Sequence, residues 1–512
     1  MSERPPFIHF PGLSSSTRGE SMELESPVPE TQNLHQDSQP FIDSFQHSSS
    51  TRGENMEEFG SPGGPYTQEL LQESQPFLHF LGLSSSARSG ESMEFESPVV
   101  KTQSPLKDSS VDNISWLPDE ILSHILSFLH TKAVVRTSIL SKMWKHVWTL
   151  APNIDFNDHS GPWTPAPEFS LFKSHVDGVL FHHVGPIKKC FLNCATMHSA
   201  PYIYAWISAV LSCKVEEFTV YSSYSGIKEL PWNLFTCKTL VSLKLMGGFV
   251  LDLPYYVCFP CLKKLHLDSL IYVDDSSMKR LFAGCHVLEE LHIKRVRGDC
   301  VLIANISVPS LKRLYLVVIY LEHVADHEYK TNINAPCLEY LEISDSSSID
   351  YSVNFSASLV QAKIRDSPML VRGIANVQIL KLYGEAVESW NSSSRSTEWP
   401  RFNKLFHLEL GGLLARKYDS GNEGLQFHGF KWIPPDSVPE CLLETLQTIR
   451  IHNLVGRKCE IFLVRYMLKH AQVLQEMTID WRYDVKWGKK TSVQRQILST
   501  SRCSEDCEIE FI

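Results

Sequence analysis

No cysteine occurs among the first 189 of the 512 residues, and the 13 that follow are scattered singly from Cys190 onward. An odd number of isolated thiols in apolar segments suits reduced core cysteines better than a disulfide framework. Long apolar runs are missing as well. The best, Leu314 to Leu321, falls far short of a membrane span, and the start, Met1-Ser-Glu-Arg-Pro-Pro, lacks the basic-then-apolar pattern of a secretory leader. The expectation is a cytoplasmic or nuclear protein with no membrane contact. Nor is there an excess of positive charge. The net charge of −10 comes from residues 1–110, which hold 6 Lys+Arg against 16 Asp+Glu, leaving 42 against 42 in the rest. A neutral body with an acidic tail lacks the cationic face that tracking a phosphate backbone needs, so no nucleic acid is expected as partner.

Signatures of catalysis and cofactor binding are absent too. No two glycines are spaced Gly-x-Gly, Gly424-x4-Gly429 runs into Phe430-Lys431 rather than Lys-[Ser/Thr], and His-Glu-x-x-His does not occur. Cys258-Phe-Pro-Cys261 has metal-type spacing, with His266, Cys285 and His286 following, but a structural zinc site needs two such pairs, so packed thiols are the expected reading. Neither cofactor nor metal is expected, and a hydrolase on this chain would need a convergent catalytic set that no motif marks.

Residues 1–110 are rich in Ser, Glu, Gln and Pro, and carry three internal copies beginning at Pro6, Pro40 and Pro76, each Pro-Phe-[Ile/Leu] followed by a Ser-rich run with Arg. Each copy offers one small apolar cluster, too little to offset the entropy of ordering, so a disordered tail is expected. At Asp112 the texture changes. Pro118 suits a first helical position, Asp119 and Glu120 favour a helix start, and Ile121, Leu122, Ile125, Leu126 and Leu129 draw an apolar stripe. Thr131 can cap a second helix with Val134, Val135 and Ile139, and Ser141 a third with Trp144 and Trp148. Three short helices make a core too small to stand alone, which points to support from the following domain or a partner.

Beyond a Pro/His-rich joint, a pattern apolar-x-x-apolar-x-apolar recurs twelve times, from Ile187-Cys190-Leu192 to Leu474-Met477-Ile479. The start-to-start spacings run from 18 to 28 residues, with one of 41 across the Gly- and Pro-rich stretch 411–439. Such a period suits a leucine-rich repeat, one short strand plus a helical or irregular return, in an irregular solenoid. Between the last two apolar positions of each unit, one residue faces the open concave side: Phe191, Thr219, Lys244, His266, His292, Tyr315, Glu342, Lys363, Lys381, Glu409, Arg450 and Thr478. A stripe of this kind presents a long surface to a partner, and the stretch from Lys244 to Lys381 is the candidate substrate-binding set.

The run from Ile114 through Leu117-Pro118, Ile121, Ile125-Leu126 and Leu129 to Val135, Leu140-Ser141-Lys142-Met-Trp144 and Trp148 closely resembles an F-box, although Met143 stands where plant F-boxes commonly carry Arg. Cys441-Leu-Leu443, Leu446, Ile449, Ile451, Gly456, Glu460, and Tyr466 to Ile479 resemble the FBD segment that closes plant F-box proteins with leucine-rich repeats. Beyond the disordered tail (1–110), which the family does not require, the resemblance implies a fold of α/β class: a small three-helix F-box (111–150), a linker (151–186), a leucine-rich-repeat solenoid (187–434) and an FBD domain continuing it (435–512). It implies a non-catalytic receptor of a Skp–cullin–F-box ubiquitin ligase. Leu117, Pro118, Ile121, Leu122, Ile125, Leu126, Val135, Leu140 and Trp144 would bind the Skp-type adaptor, through it the cullin and RING subunit, and the repeats would bind an unknown protein substrate. The alternative is an adaptor-independent leucine-rich-repeat scaffold.

Overall fold

The computed structural model describes residue 114 and residues 116–512, except 158–165, 195–199, 223–227, 296–300, 320–328, 346–347, 349, 356–357, 389–400, 413–433 and 436. The tail expected over 1–110 and most of the loop expected over 411–439 lie outside the described residues.

Helices Asp119–Leu126, Thr131–Arg136 and Trp144–Val147 form the amino-terminal module. Pro118 sits one position earlier than expected, as the cap before the first helix, where its carbonyl accepts from the Ile121 and Leu122 N–H groups. Thr131 is the first residue of the second helix rather than its cap. Its hydroxyl accepts from Asp155 N–H at 2.6 Å, tying the module to the first strand of the adjoining sheet. Ser141 accepts from Trp144 N–H at 3.4 Å, a weak cap for a single-turn helix. Leu122, Leu126, Val134, Trp144, Val147 and Ala151 close a core of their own, and Trp148 packs on both this core and the larger one behind it.

Then come β1 (Asn153–Asn157), β2 (Lys189–Cys194), β3 (Glu217–Ser222), β4 (Lys228–Glu229), β5 (Ser242–Met246), β6 (Phe249–Leu251), β7 (Lys264–Asp268), β8 (Ile271–Tyr272), β9 (Glu290–Arg295) and β10 (Ile303–Ser307). They continue as β11 (Arg313–Val318), β12 (Lys330–Asn334), β13 (Tyr340–Asp345), β14 (Asp350–Asn354), β15 (Gln361–Arg365), β16 (Ile379–Tyr383), β17 (His407–Gly411), β18 (Thr448–Leu454), β19 (Glu476–Trp481) and β20 (Glu508–Phe511). Fourteen make one parallel sheet in the order β1-β2-β3-β5-β7-β9-β11-β13-β15-β16-β17-β18-β19-β20. All twelve predicted strand cores are members of it. Their last two apolar positions point inward, none more than 3% exposed, and the first of the three buries on the approach to the strand.

The expected linker 151–186 is corrected. Residues 153–157 pair in register with β2 as the first strand of the sheet, and Ala166–His182 is a helix. Ala151, Ile154 and Phe156 carry the same three-then-two spacing as the repeats, with a small residue in place of the leading leucine. The chain ends on β20, a fourteenth strand beyond the expected array.

Helices fill several returns: Ala200–Ser212, Asp275–Ala283, Lys458–His470 and Trp487–Leu498, whose buried faces join the same core as the inward strand residues. In the middle of the array the returns are themselves strands. There β10, β12 and β14 pair into a second parallel ribbon, and earlier β4, β6 and β8 do the same. The inward guanidinium of Arg295 links the layers, donating to Val301 O at 2.8 Å and lying over the Tyr329 ring. Left-handed residues follow β5, β7, β15, β16 and β17, namely Gly247, Ser269, Asp366, Gly384 and Gly412. At Gly247 (φ 109°) a Cβ would lie 1.9 Å from Ser222 O, so only glycine fits.

Candidate functional site

The first helix is apolar on two adjacent faces. Leu122 and Leu126 are fully buried, whereas Ile121 is 46% exposed and Phe128, just past the helix, is 76% exposed. Ile139 and Leu140, just past the second helix, and Trp116, before the first, are exposed as well. The predicted adaptor set therefore divides. Pro118, Ile121 and Leu140 are exposed, and Leu117, Ile125 and Val135 are half-buried. Leu122, Leu126 and Trp144 are corrected: they fill the module's own core and can touch a partner only if the module opens. Sequence reasoning missed Trp116, Phe128 and Ile139 as surface residues. The available signal was a second stripe, Ile121-Ile125-Phe128, beside Leu122-Leu126-Leu129, wider than so small a core can cover.

The predicted sheet stripe aligns strand by strand. Phe191 pairs with Thr219, Thr219 with Lys244, Lys244 with His266 and His266 with His292. The row continues through Tyr315, Glu342, Lys363, Lys381, Glu409, Arg450 and Thr478. Asp155 and Glu510 extend it at the two ends. Positions two residues to either side share this face, as strand alternation requires, and they complete its chemistry. His266, His292 and Tyr315 stack across three strands, with ring centroids 5.1 and 3.9 Å apart. Burial, then the neighbouring His292 and two lysines, lowers the His266 pKa, so this imidazole is neutral at pH 7. Glu342 accepts from Tyr340 OH at 2.7 Å and pairs with Lys363 at 2.8 Å.

Around Glu409 the face closes over itself. Lys381 lies 2.7 Å from one carboxylate oxygen, while Tyr383 OH and His452 Nε2 meet the other. The second ring nitrogen of His452 meets Asp480. Burial opposes the charged form of Glu409, but the hydrogen bonds from Lys381 and Tyr383 and the nearby cations outweigh it and hold the carboxyl at about 2. Glu409, expected on the open face, is buried there by these neighbours, and Thr478 is buried too, its hydroxyl donating to Glu476 at 2.8 Å.

In the carboxy-terminal part, Glu460 has a structural task. Its carboxylate accepts the backbone N–H groups of Val455, Gly456 and Arg457 at 3.1, 2.7 and 2.9 Å, pinning the turn before helix Lys458–His470. Gly456 takes φ 76°, and a Cβ there would strike Val493 of the last helix at 2.6 Å. Both residues belong to the FBD-like signature, and their geometry explains the pairing.

Among the described residues no group of three or more His, Cys, Asp or Glu is placed to hold a metal ion. Cys261 is exposed, whereas the Cys285 thiol is buried, hydrogen-bonded to Leu281 O and pushed up to about 12 by burial. No helix of the described residues is long and apolar enough to cross a membrane.

The F-box domain model matches residues 114–154, the model for the repeats of the FBD-associated F-box protein At5g56370 matches 203–380, and the FBD model matches 434–479. The chain is 32% identical to the FBD-associated F-box protein At4g10400 of Arabidopsis thaliana over 425 residues, covering 78% of this chain and all of that one. It is 30% identical to the Arabidopsis F-box/FBD/LRR-repeat protein At4g26340 over 438 residues, again 78% of this chain and all of the relative. The chain belongs to the F-box/FBD/LRR-repeat family. The apolar patch of the amino-terminal module is thus the surface of an F-box, the aligned stripe that of a leucine-rich-repeat sheet, and the Glu460 turn part of an FBD domain.

Proposed function

We propose that this F-box/FBD/LRR-repeat protein is the substrate-recognition subunit of a Skp–cullin–F-box ubiquitin ligase, its F-box seated on a Skp-type adaptor and its repeat sheet holding the protein to be ubiquitinated. The observation that carries this is the exposure of Trp116, Ile121, Phe128, Ile139 and Leu140 on a module whose own core is closed by six other residues. Large apolar side chains left in water cost free energy and regain it against a complementary groove. The protein then acts by proximity. The adaptor leads through the cullin to the RING subunit and its ubiquitin-charged enzyme, and the sheet raises the effective concentration of a substrate lysine beside that enzyme. No catalytic side chain of the receptor is required. The test is co-expression of the full chain with a plant Skp-type adaptor and affinity capture, beside Ile121→Asp/Ile139→Asp. A stable complex lost in the variant supports the proposal, and a wild-type chain that captures no adaptor overturns it.

A further inference from the structure

The open face of the sheet divides by how its charges are satisfied. From β13 to β17, Lys363 is taken by Glu342, Lys381 by Glu409, whose second oxygen is met by Tyr383 and His452, and Arg365 lies over the Tyr383 ring, while Arg450 on β18 is exposed without an ion pair among the described residues. A partner approaching Lys363 or Lys381 must break pairs before making new ones. From β5 to β11 the balance differs, because four cations, Lys244, Lys264, Lys294 and Arg313, share two carboxylates. Lys264 and Arg313 both lean on Glu290, at 3.5 and 3.4 Å, and Lys294 takes Asp268 at 3.2 Å. Lys244 is exposed and makes no ion pair among the described residues. Directly beside it begins the flat His266–His292–Tyr315 ladder.

We propose that this half of the face binds an extended acidic segment, one carboxylate seated on Lys244 and a planar side chain of the same segment on the His266–His292–Tyr315 ladder. The proposal rests on the receptor reading above. Lys244 and His292 are two strands apart, about 10 Å, which is the reach of roughly three residues of extended chain. The recognised segment therefore carries Asp or Glu two or three positions from Phe, Tyr or Trp. The excess cations draw such a segment in, and the half-buried ladder gives a ring a face to cover.

The experiment selects a displayed random peptide library on the full-length chain, then titrates the enriched peptides by fluorescence anisotropy against wild type, Lys244→Glu, Lys244→Ala and Lys363→Glu. Adaptor capture is run on the same preparations. The expected result is enrichment of the acidic-aromatic spacing, with binding weakened about tenfold by Lys244→Glu, less by Lys244→Ala, and changed less than about twofold by Lys363→Glu. Affinity should also fall as salt rises. Enriched peptides without acidic residues, equal damage from Lys363→Glu, or no peptide retained overturns the proposal. If the adaptor is still captured in that case, the acidic-peptide surface fails alone. Acidic-aromatic peptides that bind a chain unable to capture adaptor leave this surface standing and remove the ligase reading.

Discussion

The F-box and the repeat sheet conceal their apolar residues to very different degrees. Along the twelve repeat strands from β2 to β19 the two inward apolar positions of each repeat core are at most 3% exposed, whereas the F-box leaves Trp116 and Ile139 84% exposed around a core of six residues. In the sheet each strand is covered by its neighbours and by the next return, so repetition supplies as much partner surface as the apolar pattern needs. A module of three short helices exhausts its own surface first, and what remains uncovered is available to another chain. The outer face of the sheet meets water differently, with polar side chains that over half its length are already paired with one another.

The contrast is open to mutation. The largest stability effect is expected in the sheet interior: Leu314→Ala should cost about 3–4 kcal/mol by urea unfolding, because strands packed on both sides cannot collapse into the space. In the smaller F-box core, Leu126→Ala should cost about 2–3 kcal/mol, and a cost equal to or above that of Leu314→Ala would break the comparison. Next comes the paired half of the outer face. Glu409→Gln should lose about 2 kcal/mol at pH 7 by leaving Lys381 and His452 without their shared anion. Because the folded carboxyl titrates at about 2 against its usual 4.5, its contribution is complete above about pH 4.5 and is lost as the pH falls toward 2. Wild type should therefore lose more stability than Glu409→Gln between pH 5 and pH 3, a difference read from urea midpoints at the two values. The smallest effect on stability belongs to the uncovered patch. Ile139→Asp should shift unfolding by less than about 0.5 kcal/mol while abolishing adaptor capture. A large loss of stability there would mean the patch is a structural part of the module after all.

Much of the sheet was legible in the chain. Two inward positions separated by one residue, preceded by a third three places back, name a strand, its register and its outward residue, and all twelve instances align. The first strand escaped notice because Ala151 takes the place of the leading leucine, and the last because Ile509 and Phe511 are only half-buried at the sheet edge. The strand returns of the middle repeats were not anticipated either. Segments such as Ile303–Ser307 are as short as a helical turn, and only pairing with the equivalent segments of neighbouring repeats makes them strands. In the F-box the helices themselves were evident, but not which of two adjacent apolar stripes turned inward.

Periodicity is a property of the chain, and it alone determined the class of the fold, the strand register and the residues along the open face. Which of those residues are free to meet a partner is a matter of neighbours brought together from successive repeats. The pairing of Lys381 with Glu409, separated by 28 positions, and of His452 with both Glu409 and Asp480, withdraws these side chains from the face and leaves Lys244 exposed elsewhere on it. Likewise, Leu122 and Ile121 are consecutive residues of similar apolar character, and only the packing of Trp144 and Val147 against one side of their helix decided that the first is core and the second surface. Burial and ion pairing depend on distances between elements, which no local pattern encodes.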